Sequence, residues 1–96
     1  MSIHAKLMDN RERILMSARE HGVQSLKLFG SAARMQDQEK SDVDFLVSLE
    51  DDRSLFDLIR FKHDVEDILH RDVDVVTENA IHHSIRDEIL NEARPL

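Results

Sequence analysis

Apolar stretches of two different periods alternate along this chain and predict an α/β fold, a short sheet with helices mainly on one face. Two observations carry the prediction. Leu26 to Phe29, Asp42 to Val47 and Asp72 to Val76 are short runs in which apolar residues recur at strand spacing, whereas the stretch opened by Ser54 repeats its apolar residues every three to four positions. With 96 residues, of which 41% are hydrophobic, the chain has enough apolar material for one core and reads as a single domain over residues 1–96.

Asp9, three residues before Glu12, resembles a capping box, so a first helix is expected from there to about His21, with Gly22 as its terminator. Ile14, Leu15 and Ala18 fall at helical spacing within it. Leu26, Lys27, Leu28 and Phe29 read as a strand that ends at Gly30, and Ser31 to Arg34 read as the first turn of a second helix. A second strand begins at Asp42. After the acidic turn Glu50, Asp51, Asp52, Ser54 is the expected start of a helix ending near His70, with Leu55, Leu58, Ile59, Val65, Ile68 and Leu69 on its apolar seam. Phe56 and Phe61 do not fit that seam; packing against the first helix is the simpler reading, and on the surface they would mark a partner-facing side. A third strand follows from Asp72, then a last helix from about Ala80 to Ala93 with Ile81, Ile85 and Ile89 along one side.

The chemistry-bearing residues sit at the strand ends. On a strand, Asp42 and Asp44 emerge from the same face with Cα atoms roughly 7 Å apart. Such carboxylates suit hard divalent cations, and two Mg²⁺ ions about 3.5–4 Å apart clamp the attacking and leaving oxygens of an in-line phosphoryl displacement. Upstream, Gly30 allows a backbone turn closed to other residues, and Ser31 at a helix start offers N–H groups and a hydroxyl to an anion such as a triphosphate. The plain alternatives are a solvated acidic pair and an ordinary serine cap. A third carboxylate is needed to complete a metal site and accept a proton. Asp74, deeper in its apolar run than Asp72, is the expected buried ligand and general base. Arg34 and Lys40 in the spacer are candidate cations for the departing pyrophosphate, with simple solvation as the alternative. His63 and Asp67 are spaced as a helical pair but lack a third ligand, and His82 and His83, adjacent on the expected last helix, would point in different directions there, at least one of them into solvent.

Gly30, Ser31, then Ser41, Asp42, Val43, Asp44, Phe45, Leu46, Val47, and later Val73, Asp74, Val75, Val76, together resemble the minimal nucleotidyltransferase branch of the polymerase β superfamily. The ending Ile89 to Ala93 resembles that family's last helix, so the likeness covers most of the chain. It implies a small polymerase β-like fold with a short mixed sheet. It also implies that Asp42, Asp44 and Asp74 bind two Mg²⁺ ions and are catalytic, and that Gly30, Ser31, Arg34 and Ser41 contact ATP. Many members of this class are antitoxins paired with HEPN-domain ribonuclease toxins, and some transfer AMP from ATP to a toxin tyrosine. That role is the expectation here, with a hetero-oligomer of antitoxin and toxin. The competing expectation is a catalytically idle module that neutralises its toxin by occlusion. Met35 stands where relatives often carry glycine, which favours the idle module. Modification of a small hydroxylated molecule ranks last, because relatives that do this carry extra material to cover the acceptor.

The formal charge of −7, with neither Trp nor Tyr, argues against direct nucleic-acid binding, which depends on lysine and arginine displacing counterions. It suits a basic protein partner better. The absence of cysteine removes disulfides and thiolate sites and agrees with an intracellular location. No apolar stretch approaches the roughly 20 residues that span a bilayer, and no signal-peptide pattern opens the chain, so a cytoplasmic protein is expected.

Overall fold

The computed structural model describes residues 3–30, 43–81 and 84–96. Helices α1 (Ile3–Asp9) and α2 (Arg11–Glu20) precede strand β1 (Val23–Phe29). Strand β2 (Val43–Leu49), helix α3 (Leu55–Leu69) and strand β3 (Val73–Thr77) follow. After a 3₁₀ turn over Glu78–Ala80 come helix α4 (Arg86–Glu92) and strand β4 (Arg94–Pro95). The sheet order is β3-β2-β1-β4, with β2 and β3 parallel and the other two pairings antiparallel. It is a mixed sheet, as expected. The segment of the expected second helix, including Ser31 and Arg34, lies outside the described residues.

Asp9 does not cap the helix over 11–20. It ends α1, and Asn10 occupies the cap position, its side chain donating back to the Lys6 carbonyl at 2.9 Å. The exit is as expected: Gly22 takes φ +74° beyond the C-cap His21. There its carbonyl accepts the Glu50 N–H at 2.9 Å, joining the start of β1 to the end of β2.

Strand alternation divides the sheet into two faces. On one, Leu26, Leu28, Val43, Phe45, Val47 and Val73 are buried against Ile14 and Ala18 of α2 and Phe61, Val65 and Leu69 of α3. Asp44 and Asp74 belong to the opposite face, which also carries the fully buried Leu46. The apolar seam of α3 differs from expectation. At 100° per residue, Leu55 and Ile59 lie roughly 90° and 130° from the centre of the arc formed by Leu58, Phe61, Val65, Ile68 and Leu69. Accordingly Phe61 is fully buried, while Leu55, Phe56 and Ile59 are exposed.

Ser54 starts α3, its N–H donating to the Asp57 carboxylate at 3.1 Å. At the other end His70 adopts the left-handed conformation (φ 54°) and ends the helix. Glu66 of α3 then receives the Val73 N–H on its carboxylate at 3.2 Å, which fixes where β3 enters the sheet. The last helix is shorter than the expected Ala80–Ala93. The chain first turns through a 3₁₀ segment and Ile81 before α4 begins at Arg86. Ile81 is buried and Ile85 exposed, so the two do not share one helical face.

Candidate active site

Asp44 is the second residue of β2, and its register partners place the site. In the antiparallel pair it faces Phe29, the last residue of β1; in the parallel pair it faces Asp74, the second residue of β3. Register partners on adjacent strands project from the same face, with Cα atoms about 4.8 Å apart. Two carboxylates from strands far apart in sequence therefore stand side by side at one end of the sheet.

Gly30 follows β1 directly and adopts φ +70°. A Cβ built there would lie 2.5 Å from Oδ2 of Asp44, so the carboxylate occupies the space a side chain at position 30 would fill. Both the dihedral and the contact select glycine. The glycine corner and the carboxylate pair thus form one continuous patch.

Asp74 departs from expectation in one respect: it is exposed rather than buried. The reason is topological. β3 is an edge strand, so only β2 flanks Asp74 in the sheet, whereas Asp44 lies on an inner strand and is half-buried. Asp72 precedes β3 and is exposed, in keeping with a residue at the strand entrance. Asp42, Ser31, Arg34, Met35, Lys40 and Ser41 lie outside the described residues, as do His82 and His83. His63 and Asp67 are both exposed on α3, as a surface pair should be.

Sequence reasoning did not single out a second polar cluster, between α2 and α3. Oδ2 of Asp64 lies 2.9 Å from Nε2 of His21 and accepts a hydrogen bond from Ser17 Oγ at 2.9 Å. Glu20 brings a further carboxylate to this group. Hydrogen bonds from His21 and Ser17 hold the Asp64 carboxyl below the usual carboxylate range. Ser17 of α2 and its C-cap His21 are spaced i, i+4, which was the signal available in the sequence. The cluster pins the end of α2 to the middle of α3, on the side of the core helices.

Hard oxygen donors converging beside a glycine turn at strand ends are the equipment of a phosphoryl-transfer enzyme. The sequence pattern described as Polymerase beta, Nucleotidyltransferase matches residues 12–96, and the chain belongs to this family, in its minimal nucleotidyltransferase branch. Among similar proteins is MJ0435 of Methanocaldococcus jannaschii, named provisionally as a protein adenylyltransferase. It is 43% identical over 83 residues, covering 86% of this chain and 89% of the relative. A solved structure named provisionally as a minimal nucleotidyltransferase superposes with a TM-score of 0.90 at 38% identity, covering 100% of this chain and 97% of the other. A toxin-antitoxin structure with AMP-PNP shares the fold, with a TM-score of 0.75 at 20% identity over 90% of this chain and 71% of that one. The chain is a nucleotidyltransferase. No helix among the described residues is long and apolar enough to cross a membrane.

Proposed function

We propose that this protein is an antitoxin that transfers AMP from ATP, with Mg²⁺, to a hydroxyl of a cognate HEPN ribonuclease toxin, most simply a tyrosine. The observation that carries this reading is the register pairing of Asp44 with Asp74, with Gly30 packed beneath Asp44. The protein adenylyltransferase name of a 43% identical relative supports AMP as the group moved. The AMP-PNP toxin-antitoxin neighbour supports the nucleotide and the kind of partner.

Asp42, Asp44 and Asp74 are the residues that would hold Mg²⁺, and their all-oxygen donor set fits it. When bound, the metal neutralises phosphate charge and acidifies the attacking hydroxyl. The turn at Gly30 and Ser31 binds the triphosphate through backbone N–H groups, with Arg34 and Ser41 completing the nucleotide contacts. Asp74, open to solvent at the sheet edge, is accessible to an incoming hydroxyl and takes its proton. The acceptor oxygen bonds to the α-phosphorus, the bond from that phosphorus to the β-phosphate bridge breaks, and pyrophosphate leaves. AMP remains on the acceptor. Most of the catalysis lies in positioning and charge neutralisation.

The test is an intact-mass measurement of the toxin after incubation with this protein, ATP and Mg²⁺. One or more added AMP groups are expected with the wild type and none with Asp44→Asn. A stable complex of unchanged mass would instead establish the alternative, a catalytically idle module that neutralises the toxin by occlusion. The exposed apolar residues of α3 are the observation in that alternative's favour.

A further inference from the structure

Leu55, Phe56 and Ile59 lie together on the first turns of α3, and their exposures of 68%, 71% and 42% leave three large apolar side chains in water. Neighbouring residues on a helix at i, i+3 and i+4 form one surface. Such a contiguous group on a small domain marks a contact surface. Two residues before Leu55, Arg53 belongs to the lining of a hollow of about 250 Å³, together with Glu50, Asp51, Thr77 and Glu78 among others. Its one basic residue is already engaged: Arg53 lies 3.4 Å from Glu50 and 3.7 Å from Asp57. Asp51 of its lining is exposed, as is the next residue, Asp52. The chain segment that lines this acidic cavity thus leads directly into the apolar first turns of α3, and the cavity has room for one extended lysine or arginine side chain.

We infer that this surface is a docking site for a basic amphipathic segment of the acceptor protein, its apolar side on Leu55, Phe56 and Ile59 and a cationic side chain in the hollow of Asp51 and Glu78. Charge selects this occupant over a second copy of the chain, because two molecules of net charge −7 would bring like-charged carboxylates together at the contact. The site also lies at the far end of the sheet from the carboxylate pair. Asp44 to Leu49 is five residues of β2, about 17 Å of extended strand, before the turn that leads to α3. A partner gripped here must be larger than that to present a hydroxyl to Asp44, which points to a folded protein and not to a small hydroxylated molecule. The inference rests on the proposed transfer to a protein.

The test uses fluorescence anisotropy with a labelled amphipathic Leu/Lys peptide and a Glu-for-Lys counterpart. The wild type is expected to bind the basic peptide and not the acidic one. Leu55→Ser with Phe56→Ser, and separately Asp51→Lys with Glu78→Lys, are expected to weaken binding by about tenfold or more. Glu12→Lys with Glu88→Lys, the same charge change at exposed positions on α2 and α4, is expected to weaken it much less. Thermal melts check that each variant is folded. Equal binding by the α3 variants, or an equal loss from the control pair, overturns the docking site. Asp44→Asn must bind as the wild type does. If the peptide binds as described while no AMP reaches any acceptor, the transfer reading fails and the docking surface stands. If AMP is transferred but the α3 variants bind normally, the reverse holds.

Discussion

The carboxylate of Asp44 lies where the side chain of residue 30 would be, 2.5 Å from the Cβ that any other amino acid would place there. Gly30 is therefore part of the site's geometry as well as of its turn. Gly30→Ala must push the carboxylate aside and hold alanine at φ +70°. A displacement of about 1 Å at such a centre costs on the order of a hundredfold in rate. AMP transfer by Gly30→Ala is expected to fall by about that factor, while melting registers a loss of only about 1–2 kcal/mol.

Asp44→Asn and Asp74→Asn test the pair itself. Each removes a metal-binding charge, and each relieves repulsion between register partners. Both variants are expected to lose AMP transfer, with melting temperatures in metal-free buffer equal to or above the wild type. Loss of folded protein in either variant would mean that the aspartate is structural.

The Asp64 cluster predicts a pH signature. Its carboxyl titrates below the ordinary value of about 3.9, so its contribution to stability is complete above that pH and is lost as pH falls through the folded-state value. Asp64→Asn should lower the melting temperature near neutral pH, and the gap from wild type should close at pH below about 4. The side chain is 46% exposed, so solvent screening keeps the effect small. A gap that persists at low pH would show that packing, not charge, ties α2 to α3 here.

Phe61 and Phe56 share a helix and have opposite fates. Phe61→Ala opens a cavity in the core and should cost about 3–5 kcal/mol in a urea titration. Phe56→Ala should change stability by no more than about 0.5 kcal/mol.

The contrast between these two residues shows where sequence reading stops. The pattern from Leu55 to Leu69 reveals a helix, but which arc faces the sheet depends on what lies against it. Gly22 and Gly30 were legible because positive φ is a local requirement with few residues to meet it. Asp9 and Asn10 were not, since a capping pattern reads the same at the break between two helices as at a free start. Two-residue β4 carries no periodicity; its Pro95 sits on an edge strand, where a missing N–H is tolerated. The exposure of Asp74 follows from strand order, which depends on the pairing of distant segments. Its neighbourhood with Asp44 is likewise a matter of register, set through α3 and the Glu66 contact to Val73.

The central claim, that Asp44 and Asp74 jointly hold divalent metal at a nucleotide, is tested most directly by titrating Mn²⁺ in the presence of AMP-PNP and following free Mn²⁺ by electron paramagnetic resonance. The account predicts nucleotide-dependent Mn²⁺ binding by the wild type that falls by about tenfold or more in affinity in both Asp44→Asn and Asp74→Asn. Unchanged Mn²⁺ affinity in the two variants would contradict it.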